Sequence, residues 1–223
     1  HGTAESAAFA GLDRTLQLPS LPHILVRVIE ACGDDAADLR DIADIVEKDP
    51  SLCTRILRMV NSSYYGFSHT ISNFGQAVSL LGIDAVRNIA VSASVYKVFG
   101  AAQDAAGFSL KQFWWHSLLC AVIAQLVAKK IAYAKPEEAF LAGLLHDIGK
   151  PLLHACPQGG RVRPEQDIAH DAAGAWLVGR WHLTSLIGDA IRYHHEPLER
   201  IRHALPLVKI VHAANRLSSA SPD

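Results

Sequence analysis

Cysteine is scarce in this sequence, and its charges of opposite sign nearly cancel. Its four cysteines, Cys32, Cys53, Cys120 and Cys156, stand far apart with no Cys-x-x-Cys pair. That argues against a disulfide framework and reads as reduced, mostly buried thiols of a cytosolic protein. Lys and Arg number 21 against 22 Asp and Glu, a formal net charge of −1. Such totals supply no electrostatic reason to bind nucleic acid or an anionic membrane surface. No apolar run reaches the roughly 18 residues that cross a bilayer. The first residues also lack the basic-then-apolar pattern of a secretory signal. The expectation is a cytoplasmic protein with no membrane association and no clear nucleic-acid partner.

What the sequence has in quantity is hydrophobic residues, 50% of 223, and histidine, 12 in all. That length suffices for one large domain or two small ones with a sizeable core. Strand-like alternation, fixed-period repeats and low-complexity tracts are lacking, and helical spacing dominates. Leu21, Ile24, Leu25, Val28 and Ile29 share one helical face within Leu21 to Cys32. Asp38 suits the cap of a short helix through Ile42, Ile45 and Val46 that stops before Asp49-Pro50. Further helices are expected at Ser51 to Val60, Phe74 to Leu81 and Asp84 to Phe99. Beyond these lie Leu110 to Ala132, Pro136 to Ile148, Asp167 to Arg180, Leu183 to His194 and Leu205 to Leu217. Asn61 to Gly66 and Pro157 to Pro164 read as loops. The Ala-rich stretch Gly100 to Gly107 is the candidate boundary between two subdomains. The expected fold class is all-α.

Chemistry concentrates in Leu144-Leu145-His146-Asp147-Ile148-Gly149-Lys150, where a histidine and an aspartate adjoin inside an apolar segment. An ionised Asp there is costly unless a cation or donor meets it. Adjacent helical residues point about 100° apart, so the pair holds one metal ion only where a groove wraps both. Other histidines lie on neighbouring predicted helices: His116, His170 and the pair His194-His195, with Asn215 on the last. Imidazoles and carboxylates on facing helices are a recurrent way to hold Zn, Fe, Ni or Mn. Such a centre lowers the pKa of bound water and polarises phosphoryl oxygens. Taken singly, His116 and His170 read more readily as hydrogen-bonded core residues than as ligands, and His194-His195 as a helix C-terminal cap. His23, His69, His154, His182, His203 and His212 carry no further context. In the N-terminal half, Asn61 and Ser62 read as helix-end caps, and Arg55, Arg58 and Arg87 as solvated helix faces.

Ordered motifs then bring in a family. Leu18-Pro19-Ser20-Leu21-Pro22, Asp49-Pro50-Ser51-Leu52, Arg55 through Ser62 and Ala77 through Gly82 resemble the HDOD domain, a signalling-associated relative of HD-domain phosphohydrolases. Glu165 through His170, Gly174-Ala175-Trp176-Leu177, Trp181 and Ala190 through Pro197 are similar to the same family. The resemblance implies a multi-helix HDOD module over residues 18–217, with an N-terminal helical subdomain (1–105) and a C-terminal HD-like helical bundle (106–223). It also implies an order of metal ligands, met here by His116, His146-Asp147, His170 and His194-His195. Lys150 matches the Lys of the His-Asp-x-Gly-Lys motif.

Two departures from the enzymatic relatives stand out. Asn215 occupies the place of a final aspartate; an amide oxygen still ligates but brings no charge and no base. The Gly-Tyr-Pro segment is missing after His194-His195-Glu196-Pro197, which argues against hydrolysis of cyclic di-GMP by that family's mechanism. The leading expectation is a regulatory signal-transduction module that keeps an HD-type centre of one or two divalent transition-metal ions (Fe, Zn, Ni or Mn). It would act mainly by binding, with a signalling protein as partner and a nucleotide or other phosphate-bearing ligand at the metal. The alternative is a metal-dependent phosphohydrolase of a nucleotide or phosphodiester, in which Asp147 and Lys150 take catalytic roles. A third reading is a metal-free scaffold with every histidine satisfied by hydrogen bonds.

Overall fold

A computed structural model describes residues 39–63, 65–99, 108–154 and 168–219, together with Phe9 and Arg27. Every regular element among them is an α-helix. In chain order these are α1 (Leu39–Glu47), α2 (Pro50–Val60), α3 (Phe74–Leu81), α4 (Ile83–Phe99), α5 (Leu110–Lys130) and α6 (Pro136–Leu145). They continue with α7 (Gly149–His154), α8 (His170–Arg180), α9 (Ser185–Arg192), α10 (Leu198–Ile201) and α11 (Pro206–Ser219). The helix expected at Leu21 to Cys32, the boundary at Gly100 to Gly107 and the loop at Pro157 to Pro164 lie outside the described residues, Arg27 excepted. The described residues fall into two compact units, one within Ser20–Gly100 and the other within Ala101–Asp223 together with Phe9.

In the first unit the apolar positions fixed by helical spacing form the core: Ile42, Ile45 and Val46 of α1, Leu52, Ile56 and Val60 of α2, Phe74 and Val78 of α3. Local chemistry sets the helix ends. Asp49 caps α2 by accepting from Leu52 N at 3.0 Å, and Pro50 begins the helix where its missing N–H costs nothing. Asn73 caps α3 by accepting from Gln76 N, and Gly82 ends it at φ 80°, a conformation that favours glycine. Asn61 braces the loop after α2, donating to the carbonyls of Leu57 and Ile71 and accepting from Ile71 N at 2.8 Å. Ser62 donates to Met59 O. Both side chains are spent on backbone.

The second unit is a helical bundle built around α5, which packs on α6 and α11; α8 packs on α7 and α9, and α9 on α11. Two glycines set how closely these helices approach. A Cβ at Gly143 of α6 would lie 2.9 Å from the Ala121 Cα of α5. A Cβ at Gly149, the first residue of α7, would collide with the His170 carbonyl at the start of α8. Glu138, 4% exposed, ties α6 to its surroundings: the Tyr133 hydroxyl donates to one carboxylate oxygen at 3.0 Å and the Thr184 hydroxyl to the other at 3.4 Å.

The chain departs from the expected helices where function was anticipated. The helix expected through Ile148 ends at Leu145, and His146 to Ile148 form a turn with i,i+3 bonds, Ile148 N to Leu145 O and Lys150 N to Asp147 O. The turn brings Gly149 against the His170 backbone, a contact that a continuous apolar pattern does not announce. Likewise α9 ends at Arg192, two residues short of the expected His194, which with His195 lies in a turn. Histidine pairs in turns can converge on one point where helical neighbours diverge.

Candidate metal centre

Six short pieces of chain meet in the second unit. The middle of α5 supplies His116, the turn after α6 supplies His146 and Asp147, and α7 supplies Lys150. The first residue of α8 is His170, the turn after α9 supplies His194 and His195, and α11 supplies Asn215. The structure brings every sequence-nominated residue to one place. Asp147 stands at its centre, 2% exposed, between His146 and His194, at 0% and 1%. His116, His170 and Lys150 are part exposed and His195 is exposed, so the cluster has a buried floor and an open rim.

The two carboxylate oxygens of Asp147 serve different neighbours. Oδ1 faces His170 Nε2 at 3.2 Å and His194 Nε2 at 3.5 Å. His195 Nε2 lies 3.1 Å from His170 Nε2. Oδ2 faces His146 Nε2 at 3.4 Å and His116 Nε2 at 3.6 Å, and Lys150 Nζ donates to it. His116 Nε2 is 3.2 Å from both His146 Nε2 and Asn215 Oδ1. Two donor sets result, Asp147 with His170, His194 and His195, and Asp147 with His116 and His146; within each, the donor atoms lie within 4.8 Å of one another.

Hydrogen bonds on the far side of two rings fix their tautomers. His146 Nδ1 is 2.8 Å from Gly143 O, and His194 Nδ1 is 2.6 Å from Ile191 O. A carbonyl only accepts, so Nδ1 of each ring carries the proton, and the neutral ring turns a bare Nε2 lone pair toward Asp147. This is the arrangement in which ligating imidazoles are held. Asp147 Oδ1 and His194 Nε2 are both buried and neither has a hydrogen-bond partner. Two acceptors facing each other without a donor repel, and a cation between them removes the penalty. The donor set, nitrogen-rich with one carboxylate, suits a divalent transition metal.

Electrostatics keep the set ready to ligate. Burial alone would raise the Asp147 carboxyl, but a proton carried on Nε2 of His146, His170 or His194 is donated to it and holds it well below the usual carboxylate range, the part a cation plays between the neutral rings. Burial, then the neighbouring His194 and His170, pushes His195 down to about 4. Burial and His146 lower His116 as well, against the pull of Asp147. At neutral pH both rings offer lone pairs.

One residue near the centre escaped the sequence reading. His212, 5% exposed on α11, is 3.1 Å through Nδ1 from the backbone carbonyl of His194 and so donates to it. Its position three residues before Asn215, on the same helical face, was the available signal. Among the remaining histidines, His182 sits at φ 55° in the chain reversal that ends α8, and His154 stacks on Phe108 with ring centroids 4.4 Å apart. Glu196 pairs with Arg200 at 3.1 Å on the exposed side, and Glu165 lies outside the described residues.

Comparison with known proteins gives two overlapping matches: the HDOD domain over residues 18–160 and the HD domain over residues 113–220. An uncharacterised protein of Treponema pallidum is 27% identical over 221 residues, 91% of this chain and 42% of that protein. Ribonuclease Y of Chlorobaculum tepidum is 32% identical over 107 residues, 48% of this chain and 18% of the enzyme. The chain thus spans less than half the length of these curated relatives. A crystal structure of an HDOD domain protein of unknown function from Geobacter sulfurreducens superposes with a TM-score of 0.77 at 26% identity, covering 97% of this chain and 78% of that one.

Proposed function

The chain belongs to the HDOD family, and from that premise we propose that it is a regulatory module holding a divalent metal in an HD-type centre and acting by binding a phosphate-bearing ligand. The observation that carries this reading is the pair of buried, unpartnered acceptors, Asp147 Oδ1 and His194 Nε2, 3.5 Å apart. His170, His194 and His195 with one Asp147 oxygen would hold one ion, and His116, His146 and Asn215 with the other oxygen a second. A bound divalent metal supplies positive charge that attracts and polarises phosphoryl oxygens.

The chain's own residues do the rest. Gly143 O and Ile191 O orient the two buried imidazoles. Lys150 Nζ, on the rim beside Asp147, is placed to meet a phosphate oxygen as a point charge. Asp147, held ionised and shared between both halves, is a ligand and not a proton acceptor, and Asn215 brings no base. That lack of a spare base favours binding over turnover. Residues 18–217 act as one module, with the centre in 106–223, and the regulatory output passes to a signalling protein partner. No helix among the described residues is long and apolar enough to cross a membrane.

Elemental analysis of protein purified without affinity tags or added metal tests this. Near-stoichiometric Fe, Zn, Ni or Mn, lost in Asp147→Ala, is expected; metal absent from both overturns it.

A second reading, metal-dependent hydrolysis of a phosphodiester, draws on the similarity to Ribonuclease Y over about half the chain and on Lys150 at the rim. Metal-loaded protein that releases product from nucleotides or RNA, and ceases to in Asp147→Ala, would establish it over binding alone.

A further inference from the structure

The two halves of the centre are unequal, and the inequality lies in charge. Asp147 is the one carboxylate in both donor sets among the described residues. The half formed with His170, His194 and His195 brings three imidazoles and Asp147 Oδ1, four donors and enough for one ion. The half formed with His116 and His146 has two imidazoles, an Asp147 oxygen that Lys150 already engages, and the neutral amide oxygen of Asn215.

Two divalent ions would bring four positive charges against the single negative charge of Asp147, and the Lys150 ammonium adds one more. Asp147, His146 and His194 are nearly or wholly out of water, where like charges repel far more strongly than at a surface. The protein supplies no further anion on the buried floor among the described residues. Among the described residues, the open direction is the rim formed by His116, His170, His195 and Lys150.

We infer that occupation of the centre is coupled through an anion. The His170 half takes a metal ion by itself, whereas the His116 half fills together with a phosphate-class anion that enters over the rim and neutralises both ions. This rests on the metal centre proposed above and adds a rule for it: metal and phosphate each strengthen the binding of the other, as linkage requires. A ligand with a phosphate group would then switch the protein between a one-ion and a two-ion state.

The test titrates Mn2+ into chelator-stripped protein and counts the bound ion by paramagnetic resonance, with and without inorganic phosphate. One tight equivalent is expected without phosphate. With it, a second is expected to bind at least about tenfold more tightly than in its absence. Asn215→Asp adds the missing negative charge and is expected to take two equivalents without phosphate. Lys150→Gln, on the rim, is expected to shift the same way by removing a positive charge and freeing Asp147 Oδ2. Two equal equivalents in the unmodified protein without phosphate overturn the coupling, as does a second ion indifferent to phosphate. One equivalent that ignores phosphate in all three proteins overturns it too, and leaves the metal centre standing. No bound Mn2+ under any condition overturns the centre and the coupling together.

Discussion

His212 donates from Nδ1 to the backbone carbonyl of His194 across 3.1 Å, fastening α11 to the turn that carries two of the candidate ligands. The bond acts on backbone, so it sets where both His194 and His195 stand without touching a metal. Partners one step removed from a metal typically change its affinity by about 10–100-fold. His212→Ala is therefore expected to weaken metal binding by that order while the helical circular dichroism stays unchanged. Unaltered affinity by calorimetric titration would reduce His212 to core filling.

Removing metal should leave a folded but less stable protein. A ligand that binds only the native state at 100 times its dissociation constant adds about 2.7 kcal/mol, and here it would also relieve the facing acceptors at Asp147 and His194. The melting temperature is expected to fall with a chelator, to recover on adding metal, and to be indifferent to both in Asp147→Ala. A chelator-insensitive melt in the parent protein would favour the metal-free scaffold.

The helices that hold the centre depend on the absent side chains at Gly143 and Gly149. A methyl at Gly149 meets the carbonyl of His170, which is backbone and cannot swing away. Overpacking commonly costs about 1–3 kcal/mol, and a collision with backbone belongs at or above the upper end. Gly149→Ala is expected to lower the urea midpoint clearly and to displace His170 from Asp147, losing metal. Gly188→Ala, with nothing near the added carbon, should leave the midpoint unchanged or slightly raised. Equal midpoints for the two variants would refute this account of the α7–α8 approach.

Legibility followed physics. Ile42, Ile45 and Val46 lie at helical spacing and are buried as that spacing demands. His116, Asp147 and His194 were nominated as ligands by the resemblance to HD-type relatives, whose ligand order they match, and they meet in space. The turn at His146 to Ile148 was hidden because Ala139 to Leu145, which leads into it, is apolar on all sides. Such a segment carries no phase information, and the contact that bends it, Gly149 on His170, joins residues 21 positions apart. His212 was hidden for a related reason. It shares a buried face with Val208 and Val211, and a sequence shows neither the carbonyl it will meet nor the turn that presents it.

Tyr133 gives the fold an alkaline limit. Burial, then the Glu138 carboxylate that its hydroxyl meets, pushes its ionisation up to about 12, against about 10 for an unperturbed tyrosine. Between those values the unfolded chain has lost this proton while the native state keeps it, so stability present below pH 10 declines as pH rises toward 12. The decline should be shallower in Tyr133→Phe, and spectroscopic phenolate titration of the parent should show one late component that the variant lacks. Identical alkaline stability profiles would mean the Tyr133–Glu138 contact is open in solution.

Cys120 extends the same logic to reactivity. It is fully buried on α5, and burial, then the negative charge of Asp147, pushes its thiol up to about 12. The thiolate is the nucleophile, so at pH 8 the native thiol is both inaccessible and protonated. Iodoacetamide labelling followed by peptide mass spectrometry should find Cys120 unmodified in native protein and alkylated in urea. Half-buried Cys53, raised by burial and by Glu47, should react at a measurable rate without denaturant. Because Cys120 is buried within electrostatic reach of Asp147, its labelling rate also reports how often the bundle opens. That rate should drop when metal binds the native state, by the factor that metal adds to stability. Labelling of Cys120 as fast as Cys53 in native protein would show that α5 does not pack against α6 and α11 in the way that brings His116 to Asp147.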